Sequence, residues 1–505
     1  MTAERTYRFG PLDRGGWVLG LRGSQCVAIA LGIVFGGLVL NAGLPAPLAL
    51  VPVGVGAAYA FGSIQRQPVH ELAPAAARYA SATAIGRTRW TAGLPLLSGG
   101  PADERRPAPL PPFLDGLSVL DVGAATWSPL SAAGGVGLVL DARERTLSGS
   151  LRVGGREFPL LERSDQERLV QLWGDALAAF CSERTAVSRI RVTEWAAPAG
   201  VASHERYLAV AGQRAAGSEA HASYARLLAE AGPAATTHDL IVTVTVELRR
   251  LPRRRGARQP VTDQGADVLL EELRLLTARL ETAGLSVDPP LSASALAEVL
   301  RLRCDPSCAS RIEGRRRSLA AMAGAVSPYN CGPIAVDASW SVLRADESLH
   351  RTYWVAEWPR LEMGPNWLEP LLLRAGGVRT LAIHYEPVAP SRARRRIDRD
   401  ATRLVADEEQ RARNGFRIGA QHRRAEQAML EREAELVAGY AELEFAGFLT
   451  VTAADHEELA RSCAEYEQAA AQAGLELRPL DGRHDVAFVC SLPLGRGPAA
   501  RRWTL

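Results

Sequence analysis

QCVAIALGIVFGGLVL (Gln25 to Leu40) and PLALVPVGVGAAYAFGSI (Pro47 to Ile64) lie within an uncharged run bounded by Arg22 and Arg66. That run is too long for one core helix and is sufficient for two membrane spans of roughly 20 residues each. Asn41-Ala42-Gly43-Leu44-Pro45-Ala46 supplies turn residues between the two segments. A secretory signal would explain one apolar stretch behind basic residues, but not a second directly after it, so a transmembrane helical hairpin is expected. Arg5, Arg8, Arg14 and Arg22 precede the hairpin, and Arg66, Arg78, Arg87 and Arg89 follow it. The positive-inside rule then places both termini and the large remainder in the cytoplasm, and makes the chain a multi-pass protein of the cytoplasmic membrane. Gly32 and Gly36 form a G-x-x-x-G pair. Its two readings are close helix packing against the small residues of the second segment, and a merely glycine-rich composition.

Composition narrows the chemistry. Among 505 residues there is no lysine, so all 59 basic residues are arginine. A P-loop needs its lysine at the β- and γ-phosphates, and a Schiff-base enzyme needs an amine that can deprotonate. Arginine stays protonated and supplies neither. The net charge of +3 makes no case for nucleic acid by itself. Of seven cysteines only Cys304 and Cys308 are closely spaced, which predicts no zinc site, and no cofactor is expected. His70-Glu71 and His456-Glu457 open like a zincin motif but lack the histidine four residues after the first. No G-x-S-x-G elbow is present. Cys331 could be a nucleophile, but reads better as a structural thiol. The chain is expected not to be an enzyme.

Residues 1–66 form the expected hairpin with its short leading segment, and 67–114 a juxtamembrane stretch ending in the Pro/Gly-rich linker Ser98 to Pro112. Two α+β domains, 115–330 and 331–505, follow. In the first, strands are expected over Val136 to Asp141, Thr146 to Val153, Val187 to Trp195 and Leu240 to Leu248. Helices are expected over Asp165 to Ser182, Ser203 to Ala231 and Asp263 to Ala283. In the second, strands are expected at Tyr353 to Ala356, Val378 to Tyr385, Phe445 to Thr452, Leu475 to Leu480 and Val486 to Leu492. Residues 391–441 read as a charged helical region with an interruption at Asn414-Gly415, and Ala454 to Ala473 as a helix. The closing run suggests half of a ferredoxin-like unit.

Arginine clusters at 249–258, 315–317 and 392–399 read either as solvated loops or as surfaces for anionic lipid or DNA. Trp354, Trp358, Arg360 and Trp367 are candidate partner-binding residues, with an ordinary hydrophobic core as the competing reading.

RTYWVAEWPRLEMGPNWLEPLLL, RTLAIHYEPVAPSRARR, EREAELVAGYAELEFAGFLTVTA, LPLGRG and the early GPLDRGGWVLGLRGSQ together resemble a family of actinobacterial membrane proteins tied to conjugative, type IV-like transfer. The start of the chain is similar to the PrgI-type two-helix subunit, and the region from about 339 to 495 to the motor-less N-terminal part of TraC-type assembly ATPases. The resemblance implies an inner-membrane scaffold in a multi-subunit complex, whose partners are a separate secretion ATPase and other membrane subunits. An EccE-like subunit of a type VII secretion system is the alternative. A membrane-tethered enzyme of unidentified chemistry is the third.

Overall fold

The uncharged run folds as two packed helices, α1 (Gly23–Asn41) and α2 (Ala46–Phe61), joined by a turn in which Gly43 adopts a φ of 72°. They belong to a computed structural model that describes residues 7, 9, 23–64, 67–92, 109–123, 135–155, 158–198, 218–231, 235–251, 260–318, 326–374, 376–413 and 420–497. Arg5, Arg8, Arg14, Arg22 and Arg66, residues 98–108 of the linker, 203–217 and Asn414-Gly415 lie outside the described residues. So do residues 10–22 of the GPLDRGGWVLGLRGSQ stretch.

The helices meet through glycine. A β-carbon at Gly32 would stand 2.8 Å from the Pro52 carbonyl oxygen, one at Gly36 2.8 Å from that of Ala49, and one at Gly56 2.7 Å from that of Ala28. Outward, α1 and α2 expose apolar side chains, among them Ile33, Phe35, Leu50 and Phe61. The expected multi-pass localisation is nevertheless corrected. Among the described residues only α1 is long and apolar enough to cross a bilayer, and a signal sequence near the N-terminus passes the same test. The second helix stops at Phe61, because Gly62 is extended (φ −68°, ψ 149°) and leads into the two-residue strands β1 (Ser63–Ile64) and β2 (Gln67–Pro68). Sixteen residues at about 1.5 Å each give about 24 Å, short of a hydrocarbon core of about 30 Å. The apolar run in the sequence is longer than the helix it makes.

After β2, α3 (Val69–Ala84) docks on the body through Arg78–Asp485 (2.7 Å), Arg478–Glu71 (3.6 Å) and an edge-on Tyr79–Trp340 contact at 5.4 Å. Strand β3 (Arg89–Thr91) then joins the edge of a large antiparallel sheet, and β4 (Leu117–Val122) forms the opposite edge. Between these edges the chain lays down two successive units.

The first runs β5 (Val136–Asp141), β6 (Thr146–Gly154), α4 (Arg163–Ala178), β7 (Val187–Pro198), α5 (Glu219–Ala231), β8 (Thr236–Glu247), α6 (Val261–Thr282), β9 (Ser286–Val287), α7 (Ala293–Cys304) and a trailing α8 (Ala309–Ser318). The second opens with β10 (Ala335–Ala338), β11 (Leu343–Ala345) and β12 (Ser348–Glu357). It continues through α9 (Glu369–Leu372), β13 (Val378–Pro387), α10 (Pro390–Arg413), α11 (Ala420–Val437), β14 (Leu443–Ala453), α12 (His456–Gln472), β15 (Glu476–Pro479) and α13 (His484–Val489).

From β5 and from β11 onward the order of element types is the same, with α10 and α11 standing where the first unit has α5. The pairings repeat as well. β6 lies between β8 on one side and β5 and β9 on the other, and β12 lies between β14 and the pair β11 and β15. Helices α6 and α12 end alike, in Ala283-Gly284-Leu285 and Ala473-Gly474-Leu475, with Gly284 at φ 82° and Gly474 at φ 75°. β7 pairs antiparallel with β13, so the sheet does not break between the units.

Alternation along the strands sends Leu147, Leu151, Ile190, Val242 and Val244 to one face beneath α4 and α6. Leu349, Tyr353, Leu449 and Val451 meet α12 in the second unit. The other face carries hydroxyls, paired in Ser148–Thr245 (3.1 Å), Ser150–Thr243 (2.9 Å) and Thr352–Thr450 (2.9 Å), and α7 and α13 cover it. The strand expected over Val486 to Leu492 is instead α13 and the turn after it. His484, Ala487 and Phe488 are buried at helical spacing, a pattern that so short an apolar run does not distinguish from a strand.

Candidate functional site

Of the four residues singled out around 354–367, the structure brings two together. Trp358 and Trp367 stand 6.1 Å apart by ring centroid, and Phe445 of β14 meets Trp358 edge-on at 5.0 Å. The slot exists because Gly447 lies beneath it: a β-carbon there would stand 2.8 Å from Val355 and 2.9 Å from Trp358. Glycine inside a strand is the sequence signal for such a close approach. Trp354 is elsewhere, buried in a cluster with Ala446, Phe448 and Ala487. Arg360 is exposed and paired with Glu357. The slot has an occupant that no sequence pattern announces. Phe9 lies 5.3 Å from Trp358 and 5.0 Å from Trp367, and Tyr7 forms an isolated antiparallel bridge with Met363. A groove of about 600 Å3 beside it is lined by Asn366, Trp367, Glu369, Pro370, Leu373 and Arg374.

A second constellation lies where the units join. Arg189 of β7 pairs with Glu386 of β13 at 3.1 Å, and Arg379 of β13 pairs with Glu194 of β7. Between them Arg191 is wholly buried, donating to the carbonyls of Val489 (3.1 Å), Leu492 (2.6 Å) and Arg496 (2.5 Å). Burial, with Arg189 close by, lowers its pKa to about 9. Arg496 then crosses to the first unit, donating from Nε and Nη2 to both oxygens of Asp141 (2.6 and 2.7 Å) and from Nη1 to the Phe113 carbonyl (3.1 Å). The LPLGRG segment is therefore a strap across the seam, and its Arg496 is the residue that sequence reasoning missed.

The titratable groups are built into the framework. His350 donates from Nε2 to the Cys304 carbonyl and shares a hydrogen bond at Nδ1 with the Thr452 hydroxyl, at 2.9 Å each, and burial lowers its pKa to about 4. His384 and His484 are likewise buried, with pKa values pulled down by desolvation. Burial pushes the Cys331 thiol up to about 11, which removes thiolate at neutral pH. Among the described residues no group of three or more His, Cys, Asp or Glu side chains could hold a metal ion.

Each arginine cluster has a described member in an ion pair. Arg396 is half enclosed between Glu442 (3.5 Å) and Glu444 (2.6 Å), Arg316 pairs with Glu298, and Arg250 with Glu247 (2.7 Å). Arg253 to Arg258 lie outside the described residues.

No protein-family model matches the chain, and none of the curated proteins compared with it is similar.

Proposed function

We propose that this chain is a non-catalytic scaffold subunit of a conjugation or type IV-like secretion apparatus, organising a separate ATPase for DNA or protein transfer. The observation that supports this most is the joined sheet. Two units of the same order share one antiparallel sheet, sewn at β7–β13 by two arginine–glutamate pairs and tied by the strap. Such a continuous sheet offers a surface on which other subunits can be organised, and α1 and α2 offer an exposed apolar attachment.

Each unit is read as ferredoxin-like. β6-α4-β7 followed by β8-α6-β9 gives the strand order β9-β6-β8-β7, and β15-β12-β14-β13 repeats it in the second unit. The chemistry agrees with a scaffold, because no lysine exists for a P-loop and the buried histidines serve the framework. The purified full chain is expected to bind no nucleotide in calorimetric titration with ATP and magnesium. Saturable binding accompanied by hydrolysis would contradict the proposal.

A further inference from the structure

The seat of Tyr7 and Phe9 is built for an extended segment. Tyr7 N donates to the Met363 carbonyl at 2.9 Å, and Met363 N donates to the Tyr7 carbonyl at 3.0 Å, so the arm adds to the body as a strand does. Two residues on, the Phe9 ring packs against both Trp358 and Trp367, with Phe445 6.1 Å away. Backbone pairing supplies attachment and the ring supplies selectivity. In sequence, residues 357–369 carry Glu357, Glu362 and Glu369 against Arg360, and residues 4–9 carry Arg5 and Arg8 against Glu4, so the two stretches have opposite net charge.

Thirteen residues, 10–22, separate Phe9 from the start of α1. A chain of that length reaches up to about 43 Å. The identical arm of a neighbouring copy would make the identical contacts, so exchanging one for the other sacrifices nothing at the slot. We propose that the Met363 edge and the Trp358–Trp367 slot form an interface between copies, which takes the N-terminal arm of a second copy of this chain. The arm within the same chain competes for that one seat. Its tether gives it a high effective concentration, so exchange grows as copies crowd together.

The test mixes two differently tagged full chains, one carrying only Tyr7→Cys and the other only Met363→Cys, under mild oxidation. A disulfide between these two positions in the mixture can form only between copies, and mass spectrometry of the linked peptides distinguishes it from bonds to native cysteines. The proposal predicts this bond, more of it at higher protein concentration, and its loss when Phe9→Ala is added or when a free peptide of residues 4–12 is in excess. A double variant carrying both cysteines reports the seat within one chain. A bond in the double variant with none in the mixture at any concentration would overturn exchange. An interchain bond indifferent to Phe9→Ala would overturn the slot as its cause, and no bond in either case would remove the seat itself.

Discussion

Arg191 is a buried cation with three carbonyls for partners and no carboxylate among the described residues, and its neighbour in the strap, Arg496, pairs with the buried carboxylate of Asp141. Burial alone would raise the Asp141 carboxyl; hydrogen bonds and charge from Arg496, with the amides of Glu144 and Arg143, outweigh it and hold the group below the ordinary carboxylate value. Arg496→Ala leaves that carboxylate inside with two amides alone, a loss of about 3 kcal/mol. A carboxyl with a depressed folded pKa stabilises the fold above its ordinary value and loses that contribution as pH falls through the depressed one. The deficit of the variant should therefore be largest at neutral pH and narrow below about 3.8, as denaturant unfolding at the two conditions would measure. A deficit independent of pH would rule out Asp141 as its origin. At this scale the sequence was partly legible. Crowded aromatics marked Trp358 and Trp367, whereas Phe9, some 350 positions earlier in the chain, could be joined to them only by the fold.

Among elements, the α1–α2 contact makes the sharpest demand on residue size. Gly36 faces the Ala49 carbonyl, while its neighbour Gly37 has nothing within 4 Å. Gly36→Ile should cost about 1–3 kcal/mol through overpacking, and Gly37→Ile almost nothing. Thermal unfolding of the two variants in one detergent checks the pair; equal losses would mean that the helices do not meet at this face. Strong periodicity made the long elements readable, as for Thr146 to Gly154 or Val261 to Thr282. Hydropathy without geometry misjudged α2, where Gly62 ends the helix before the apolar run ends. It also misjudged α13, whose six residues fit strand and helix equally well. The short strands β10 and β11 exist by pairing with their neighbours, and no local pattern announces them.

At the level of the whole molecule, the repeated unit was hidden because its shared signals are short, such as the helix ends Ala283-Gly284-Leu285 and Ala473-Gly474-Leu475 and the Thr-Val-Thr of Thr243 to Thr245 and Thr450 to Thr452. Their equivalence lies in strand order, which composition does not encode. The exposed apolar surface of α1 and α2 predicts that a chain lacking residues 1–62 stays dispersed without detergent while the full chain does not, as sedimentation would show. The shared sheet supports the proposal that this protein organises a separate ATPase. The direct measurement is affinity purification of the tagged full chain from detergent-solubilised cells of its own host, with mass spectrometry of what accompanies it. The account predicts recovery of a TraC-type ATPase together with other conjugation subunits. Recovery of a type VII secretion core in their place, or of no ATPase from cells that express one, would contradict it.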